Sequence, residues 1–287
     1  MRNQVILITG CSTGIGYNAV LTLQKRGHRV IATCRKQSDV DRLISQGIES
    51  VQMDIASSQS IANGFSEILV KTNGRIDVLI NNAGYTQVGA LEDVCFDVLQ
   101  EQFSTNVFGL MELTRLVIPI MRQQKKGRII NISSMFGVVY IPYHGAYVAS
   151  KHALEGLSNT LRLELKPSKI KVITVQPGII RSNLKENTLD YLLKKIDVEN
   201  SHFHTQYLRM LGPFRRKKHR YFLTRGTQVV TKKLIHAIEA NSPQIKYTVT
   251  SLAYVCILLK YVLSMKTFDR LMSYSTRKIQ QTIYRAW

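Results

Sequence analysis

Short apolar runs alternate with longer stretches of helical periodicity along the first 180 residues of the chain. The apolar runs predict strands over Val5–Thr9, Val30–Cys34, Val51–Met53, Val78–Asn81, Arg128–Ser133 and Val172–Gln176. The stretches between them predict helices over Gly14–Arg26, Val40–Gln46, Ile61–Val70, Phe103–Met121 and Ala146–Leu165. Strands that are apolar throughout and alternate with helices are typical of a parallel sheet covered on both faces. The pattern therefore predicts an α/β fold with a doubly wound, Rossmann-like parallel sheet in a single domain.

The pattern changes after Pro177-Gly178. Residues 183–224 mix polar residues with large apolar ones, and the segment is too short to build a core of its own. We interpret it as an excursion from the core, followed by a helix from Thr227 to Ala240. A mixed apolar and basic tail, predicted to be helical, ends the chain. We therefore expect one domain over residues 1–246 and a C-terminal extension over residues 247–287.

The composition indicates a folded chain whose positive charge is concentrated near its C-terminus. Of 287 residues, 45% are hydrophobic and 20% are charged, which excludes a disordered protein. The formal net charge is +20, and residues 203–287 contribute 16 basic and only 2 acidic side chains to it.

The cysteines are too far apart for zinc-ligand spacing, so no metal site is predicted. The sequence opens without a secretory signal pattern, and a cytoplasmic location is expected.

A glycine-rich turn follows the first predicted strand. Gly10, Gly14 and Gly16 precede or open the first predicted helix. Glycines allow a tight turn and let a pyrophosphate approach the N–H groups at the positive end of a helix. The spacing differs from the general dinucleotide fingerprint, so the turn alone fits a nucleotide site and a plain strand-to-helix connection about equally well. Its place at the start of a parallel α/β pattern favours the nucleotide site.

The end of the second predicted strand bears on the choice of nicotinamide cofactor. NAD sites place an acidic residue there for the ribose 2′-hydroxyl, whereas a 2′-phosphate needs a cation. In this chain Arg35 and Lys36 follow the strand, and the first acidic residue, Asp39, comes later. Two ordinary surface cations would give the same sequence. We nevertheless expect Arg35, helped by Ser12 or Lys36, to favour NADP(H).

Tyr147 and Lys151 are four residues apart in a strongly helical segment, which places both on one helix face. An ammonium about 4 Å from a phenol would lower the phenol pKa by roughly three units, from near 10 towards neutrality. General acid–base transfer is efficient there. A surface tyrosine packed on a lysine stem has the same spacing, so the pair needs support from other residues.

Further polar groups are predicted at the sheet edge where α/β proteins bind ligands. Ser134 follows the fifth predicted strand, Asn81–Gly84 closes the fourth, and Asn106 lies in the next helix. A serine hydroxyl at this edge can donate a hydrogen bond to a substrate carbonyl. Along the chain the order is the glycine turn, then Asn81–Gly84, Asn106 and Ser134, then the Tyr147–Lys151 pair, and last Pro177-Gly178.

In that order and spacing, these motifs closely resemble the short-chain dehydrogenase/reductase family over residues 4–182. Beyond residue 182 the chain is similar, more loosely, to NADP(H)-dependent aldehyde/ketone reductases akin to retinol and hydroxysteroid dehydrogenases. The resemblance implies that residues 1–246 are a dinucleotide-binding catalytic domain with a substrate lid at about 183–224. It also implies hydride transfer between the nicotinamide and a CH–OH or C=O carbon.

The resemblance implies a role for each matched residue. Tyr147 would exchange a proton with the carbonyl oxygen, and Lys151 would lower the Tyr147 pKa and bind the nicotinamide ribose. Ser134 would orient the carbonyl, and Asn106 would hold a water that links Lys151 to solvent. A serine replaces the family's usual threonine at position 182. The implied cofactor contacts are Gly10, Ser12, Thr13, Gly14, Ile15, Gly16, Arg35, Asp54, Ile55, Asn82, Ala83, Gly84, Tyr147, Lys151, Pro177, Gly178, Ile180 and Ser182.

The segment after Pro177-Gly178 holds the family's substrate specificity, and here it is rich in leucine, phenylalanine and tyrosine. These side chains predict an apolar aldehyde, ketone or alcohol as substrate, although they would equally pack a lid against the core. The basic run Arg215–Arg220 is either a solvated face, a contact for an anionic membrane surface, or a means of steering an anionic substrate. The tail 247–287 would suit an interfacial helix, so peripheral membrane association is an alternative to a purely cytoplasmic location.

Other partners and another class of function complete the expectations. Nucleic acid is not expected, because the basic segment matches no recognition module. A homo-oligomer is left open. The rival to an enzyme is a non-catalytic NADP(H)-binding or membrane-surface regulatory protein on the same fold, since fold alone does not guarantee chemistry. Four groups that a binding protein would not need, Asn106, Ser134, Tyr147 and Lys151, favour the enzyme.

Overall fold

Parallel strands form one sheet in the computed structural model of the chain, which describes residues 3–181, 184–214 and 225–273, without the side chains of 184–187 and 212–214. Seven strands of this described part are hydrogen bonded in the order β3-β2-β1-β4-β5-β6-β7. They are β1 Val5–Ile8, β2 Arg29–Cys34, β3 Ser50–Gln52, β4 Val78–Asn81, β5 Gly127–Ile132, β6 Ile170–Pro177 and β7 Lys246–Val249. The strand order reverses between β1 and β4, where doubly wound sheets open a crevice for ligands.

Helices connect the strands and cover both faces of the sheet. They are α1 Gly14–Lys25, α2 Gln37–Ser45, α3 Ser58–Thr72, α4 Phe96–Phe103, α5 Gly109–Gln123, α6 Gly145–Glu164, α7 Leu184–Lys195, α8 His204–Phe214, α9 Gln228–Glu239 and α10 Ser251–Val262. Successive residues of a strand point to opposite faces, so Ile6 and Ile8 pack under α1, α2 and α9, while Leu7 packs under α3 and α5. This arrangement confirms the predicted Rossmann-like single domain.

Two elements differ from the sequence pattern. The predicted helix Phe103–Met121 begins earlier, at Phe96, and contains a π-helical turn over Ser104–Phe108. Apolar residues that recur every three or four positions indicate a helix. They do not show where a π-helical turn adds one residue, so the pattern could not locate that turn. The predicted second helix likewise begins at Gln37 instead of Val40.

The seventh strand is missing from the predicted elements. β7 pairs with the end of β6, from Thr174↔Lys246 to Pro177↔Val249. The pattern had assigned residues 247–287 to a C-terminal extension, but residues 247–249 lie in the sheet. This strand is only four residues long, and α10 begins two residues after its end, so the residues after Lys246 merge with the uncharged start of α10.

The predicted lid contains two described helices that pack around their own apolar cluster. Leu192 of α7, Ile196 directly after it, and Tyr207, Met210 and Leu211 of α8 meet Val88 and Ala90, which follow β4. The Tyr207 hydroxyl accepts a hydrogen bond from the Ala90 N–H at 2.7 Å. Most of the lid's apolar residues whose side chains are described therefore pack the lid onto the domain. The basic run Arg215–Arg220 lies outside the described residues.

The extension returns to the domain beside the predicted catalytic helix. Ala253 of α10, with Phe268 and Met272 of a further helical segment over 265–273, is buried against Phe136 and Tyr147. Across the described part of the chain, every helix is too short or too polar to traverse a lipid bilayer.

Candidate active site

A cleft of about 320 Å³ opens at the carboxyl edge of the sheet, above the point where the strand order reverses. It is lined by the ends of β1, β2, β4, β5 and β6 and by the start of α6. Among its lining residues are seventeen that the sequence predicts: Gly10, Ser12, Thr13, Gly14, Ile15, Arg35, Asp54, Ile55, Asn82, Ala83, Gly84, Ser134, Tyr147, Lys151, Pro177, Gly178 and Ile180. Ser182 lies outside the described residues. Residues far apart in sequence therefore converge on one cavity.

The glycine turn forms one end of the cleft. Gly10 and Gly14 have φ angles of 70° and 66°, a conformation that side chains other than glycine rarely adopt. Gly16 lies beneath the turn and does not line the cleft: a Cβ there would collide with the Gly10 carbonyl and come within 2.6 Å of Asn82 Nδ2. The Thr13 side chain makes no capping hydrogen bond to α1. The first N–H groups of α1 are thus free of side-chain caps, as binding of an anion at a helix N-terminus requires.

Asn82 and Thr9 join the glycine turn to the end of β4. Asn82 Nδ2 donates to the carbonyl oxygens of Thr9 and Gly10 at 2.8 and 2.9 Å. The Thr9 hydroxyl accepts from the N–H groups of Asn82 and Ala83, both at 3.0 Å. The Asn82 amide nitrogen is therefore occupied in holding the turn, and its role is to shape the floor of the cleft.

Two cations lie near the end of β2. Arg35 is exposed and lines the cleft. Arg42, which the sequence reasoning missed, donates from Nη2 to the Ser12 carbonyl at 2.7 Å and pairs with Asp39 at 3.0 Å. Arg42 thereby neutralises the first acidic residue after β2. The signal for Arg42 was its spacing of three residues from Asp39 on a helix.

Asp54 is the acidic residue among the cleft's lining residues. One of its carboxylate oxygens accepts the Ala56 N–H at 3.0 Å, and its own N–H donates to the Ser60 hydroxyl at 2.9 Å. The second carboxylate oxygen is left to accept a hydrogen bond from a ligand, which fits contact with an adenine amino group.

Tyr147 is buried in the first turn of α6 and lines the cleft. Its ring meets Phe136 edge-on, with the centroids 6.2 Å apart. Burial raises the pKa of the phenol, and the neighbouring hydroxyls of Ser134 and Thr86 lower it in partial compensation. Thr86 was not predicted, because a single threonine after the Asn81–Gly84 motif gives no pattern of its own.

Lys151 is buried one turn further along α6. Its Nζ donates to the carbonyl of Ile132, the last residue of β5, at 2.9 Å, and lies 5.8 Å from the centroid of the Tyr147 ring. Burial lowers the pKa of this ammonium to about 8, and the carboxylate of Glu155 opposes that change. The fixed charge that the sequence predicts beside the phenol is thus present, tied to the end of β5.

The predicted fall of the Tyr147 pKa towards neutrality is wrong. The phenol pKa is raised, since its burial costs the phenolate more solvation than the surrounding groups return. The prediction assumed an ammonium about 4 Å from the phenol in a partly wet environment. The structure places both groups in a buried wall of the cleft instead.

Ser133 and Ser134 follow β5 directly and lie in the same wall. The Ser134 oxygen accepts the Phe136 N–H at 3.1 Å, which fixes the side chain, and its hydroxyl also interacts with the Tyr147 phenol. The buried hydroxyl oxygen of Ser133 makes no hydrogen bond within the described residues, and the Thr86 hydroxyl interacts only with the Tyr147 phenol there. A buried polar group without a partner is rare, and Ser133 lines the cleft, as expected where a polar ligand binds.

Asn106 lies in the π-helical turn and is fully buried behind the cleft. Its side-chain oxygen accepts the Tyr85 N–H at 3.1 Å, and its nitrogen donates to the Tyr85 carbonyl and the Ser150 hydroxyl at 3.0 and 3.1 Å. The side chain therefore clamps the segment after β4 to α6. A Cβ on Gly84 would lie 3.0 Å from the Asn106 oxygen and 3.8 Å from Lys151 Nζ, which shows how closely these groups approach.

A buried carboxylate follows Lys151 on α6. Glu155 accepts a hydrogen bond from Gln176 Nε2 at 2.9 Å and pairs with Lys246 Nζ at 3.0 Å. Gln176 in turn accepts from the Thr248 hydroxyl at 3.0 Å. Glu155 thus connects α6 to β6 and β7 directly below the cleft, and no spacing rule in the sequence singled it out.

The family model described as short chain dehydrogenase matches residues 4–191, which is more than half of the chain. The chain belongs to the short-chain dehydrogenase/reductase family. It is therefore an oxidoreductase of the class that acts on CH–OH and C=O groups.

Two bacterial proteins are similar to this chain over most of their length. The oxidoreductase YbbO of Escherichia coli (strain K12), described as uncharacterized, is 34% identical over 267 residues, 93% of each chain. A 3-ketodihydrosphingosine reductase of Bacteroides thetaiotaomicron is 40% identical over 214 residues, covering 74% of this chain and 76% of that protein.

Solved structures of the family share the fold. A short-chain dehydrogenase from Streptomyces avermitilis is 28% identical, with a TM-score of 0.72 over 98% of this chain and 97% of its own. Two Burkholderia structures, each 21% identical, contain different cofactors. The one from B. cenocepacia holds NADP (TM-score 0.73, covering 95% of this chain and 98% of its own), and the one from B. phymatum holds NAD (TM-score 0.75, 91% and 93%). Structures of this fold thus bind nicotinamide cofactors of both kinds.

A pH profile tests the link between Glu155 and Lys151. The Glu155 carboxylate raises the Lys151 pKa, so Glu155→Gln should lower it. If activity requires the ammonium, kcat/KM falls as pH rises through the Lys151 pKa, and this alkaline limb should move to lower pH by about one unit. Glu164→Gln, an exposed position near the end of the same helix, should leave the limb in place. An unmoved limb in Glu155→Gln would contradict the link.

Proposed function

We propose that the chain reduces apolar aldehydes or ketones with NADP(H), and that Tyr147 supplies the proton. The observation that supports this most directly is the wall formed by Ser134, Tyr147 and Lys151 at one end of a cleft whose other end carries the glycine turn and Arg35. One extended ligand can reach both ends.

The residues present fit a nicotinamide dinucleotide. The uncapped start of α1 and the turn glycines provide N–H groups for a pyrophosphate. The segment Pro177–Arg181 forms the opposite wall, where the Gly178 N–H donates to Val249 at 2.9 Å and the Arg181 N–H donates to Arg225 at 2.8 Å. When bound, the cofactor supplies or accepts a hydride at the substrate carbon.

Tyr147 is suited to give a proton to the oxygen that becomes negative. Its raised pKa keeps the phenol protonated at neutral pH, which a proton donor in the reducing direction requires. An alkoxide is a much stronger base than a phenolate, so the transfer is favourable even from a phenol of raised pKa. The Ser134 hydroxyl, fixed by the Phe136 N–H, can donate a second hydrogen bond to the same oxygen.

Lys151 supports this proton transfer by its charge and its position. The hydrogen bond to the Ile132 carbonyl holds the ammonium behind Tyr147. There it stabilises the phenolate left after proton transfer, since opposite charges attract strongly where water is excluded. In the family resemblance Asn106 holds a water for proton return. The Asn106 side chain already makes hydrogen bonds to Tyr85 and Ser150. A water would therefore bind the backbone of the π-helical turn instead of this side chain.

Arg35 and Arg42 favour NADP(H) over NAD(H). A 2′-phosphate would meet Arg35 at the end of β2, while Asp39, which could bind a 2′-hydroxyl, is neutralised by Arg42. A selective site for the phosphorylated cofactor fits a reductive role. We propose a cytoplasmic location together with this role, because NADPH is available in the cytoplasm.

The substrate end of the cleft supports an apolar carbonyl compound. Its lining includes Phe136, Ile179 and two tyrosines, Tyr85 and Tyr191, whose rings lie 4.5 Å apart across the junction of lid and domain. Tyr191 belongs to α7, so the lid contributes directly to this wall. The similar Bacteroides protein is named for a long-chain ketone, 3-ketodihydrosphingosine, which agrees with an apolar substrate.

A non-catalytic NADP(H)-binding or regulatory protein is the weaker alternative. Binding alone does not require a fixed serine hydroxyl, a buried phenol and a buried ammonium on one wall. Each of these groups costs free energy to bury, and a binding protein would gain nothing from the arrangement. The first prediction below separates the two functions.

Tyr147→Phe removes the proton donor and keeps the ring. We expect kcat to fall by about 1,000-fold or more, with NADPH affinity and thermal stability nearly unchanged. Tyr143→Phe is the matched control, because Tyr143 packs on Phe203 and Tyr207 in the lid cluster and does not line the cleft. Steady-state NADPH oxidation and fluorescence titration measure both effects. A Tyr147→Phe enzyme with most of the wild-type kcat would refute the assigned role.

Arg35→Asp should reverse the cofactor preference. The loss of a charge-assisted hydrogen bond of about 3 kcal/mol to the phosphate changes the kcat/KM ratio of NADPH to NADH by roughly 100-fold. Lys36→Asp, at the neighbouring position outside the cleft lining, should change the ratio far less. The ratio for both cofactors is measured with one substrate. If the ratio changed equally in the two variants, the preference would depend on the overall local charge. That result would overturn the assignment to Arg35.

A series of unbranched aldehydes from butanal to decanal tests the apolar substrate. Each methylene that enters an apolar wall contributes about 0.8 kcal/mol, so kcat/KM should rise several-fold per carbon until the wall is filled. The rate of NADPH oxidation at a fixed enzyme concentration gives kcat/KM for each aldehyde. A flat series would rule out the apolar pocket while leaving the reductase itself intact.

A further inference from the structure

Five large apolar side chains are exposed together on α10, with 52–76% of each accessible to solvent. They are Tyr254, Val255, Leu258, Tyr261 and Val262, here called the α10 outer face. A helix turns by about 100° per residue, so these five side chains fall within an arc of about 120°. They form one continuous apolar stripe on a helix of twelve residues.

The opposite side of α10 is firmly packed. Ala253 is fully buried in the cluster that contains Phe136 and Tyr147, and Cys256 and Ile257 pack against the same cluster. The Thr250 hydroxyl caps the helix by accepting the Ala253 N–H at 3.3 Å. The orientation of α10 is therefore fixed by its buried side, and the outer face is exposed because the fold presents it to solvent.

This concentration is unusual for the protein's own surface. Elsewhere in the described chain the exposed large apolar residues occur in ones and twos on different elements, such as Val70 on α3 and Phe96 on α4. Apolar residues scattered singly are normal on soluble proteins, whereas a contiguous patch marks an interaction surface. The outer face is such a patch.

The charge around the outer face indicates what kind of surface it meets. Lys266 and Arg270 are exposed on the helical segment that follows α10. Residues 203–287 hold 16 basic and 2 acidic side chains. Both acidic residues are engaged, Glu239 with Arg26 and Asp269 with the Tyr140 hydroxyl. An apolar stripe within a strongly positive segment complements a surface that is both apolar and anionic.

We propose that the α10 outer face docks on an anionic lipid membrane, with α10 lying parallel to the bilayer surface. At 1.5 Å per residue α10 is about 18 Å long, less than the ~30 Å hydrocarbon core, so it lies in the interface instead of crossing. Tyr254 and Tyr261 are of the residue type that concentrates at the level of the lipid headgroups. A second copy of the chain is disfavoured as occupant, because it would bring two positive segments together.

Co-sedimentation of the full chain with lipid vesicles tests the proposal without reference to enzyme activity. We expect binding to phosphatidylcholine vesicles that contain phosphatidylglycerol, weaker binding without it, and a decrease as salt is raised. Leu258→Glu with Tyr261→Glu should lower the partition coefficient at least tenfold. The matched control is Val70→Glu with Phe96→Glu, two equally exposed apolar residues away from α10, and it should bind like wild type.

Further measurements separate the outcomes. If the glutamate pair fails to fold by circular dichroism, Leu258→Ser with Tyr261→Ser replaces it, with the same loss of binding expected. Lys266→Glu with Arg270→Glu should remove the preference for anionic vesicles. The proposal is overturned if wild type does not sediment with vesicles, or if binding survives both outer-face pairs. It is also overturned if light scattering shows a dimer that the outer-face pair converts to monomer without any change in vesicle binding.

Discussion

The hydrogen bond from Lys151 Nζ to the Ile132 carbonyl is the interaction on which the site depends. It ties a buried ammonium on α6 to the last residue of β5, the strand from which Ser134 follows. A buried charge is costly unless it is held by polar partners, and the lowered pKa of Lys151 reflects that cost. Because Tyr147 lies one turn before Lys151, this bond also fixes the ammonium close to the phenol.

The surroundings of Lys151 connect the site to the rest of the fold. Glu155, one turn later, opposes the desolvation of the ammonium and pairs with Lys246 of β7. The last strand of the sheet therefore contributes to the electrostatics of the site, although no residue of β7 lines the cleft. Directly after β7, Thr250 contacts Gly178 and caps α10, so the cofactor wall and the C-terminal helix share one corner.

The sequence predicted what depends on local patterns and on known motifs. The six strands β1–β6 and the seventeen cleft residues follow from apolar runs, glycine spacing and the matched motifs. β7 was missed because four residues of strand run directly into α10, and the π-helical turn at Asn106 was missed because apolar spacing does not reveal an inserted residue. Thr86 and Glu155 act through tertiary contacts, which no local spacing encodes, and the same holds for the contact of Arg42 with the Ser12 carbonyl.

The most direct measurement of the central claim is a crystal structure of the chain with NADPH bound. The account predicts the adenosine beside Arg35, the pyrophosphate on the glycine turn, and the nicotinamide between Pro177–Arg181 and the Tyr147 wall. The Tyr147 hydroxyl and Ser134 hydroxyl should then point to one open position next to the reactive ring carbon. A cofactor bound elsewhere, or a phenol turned away from the nicotinamide, would contradict the account.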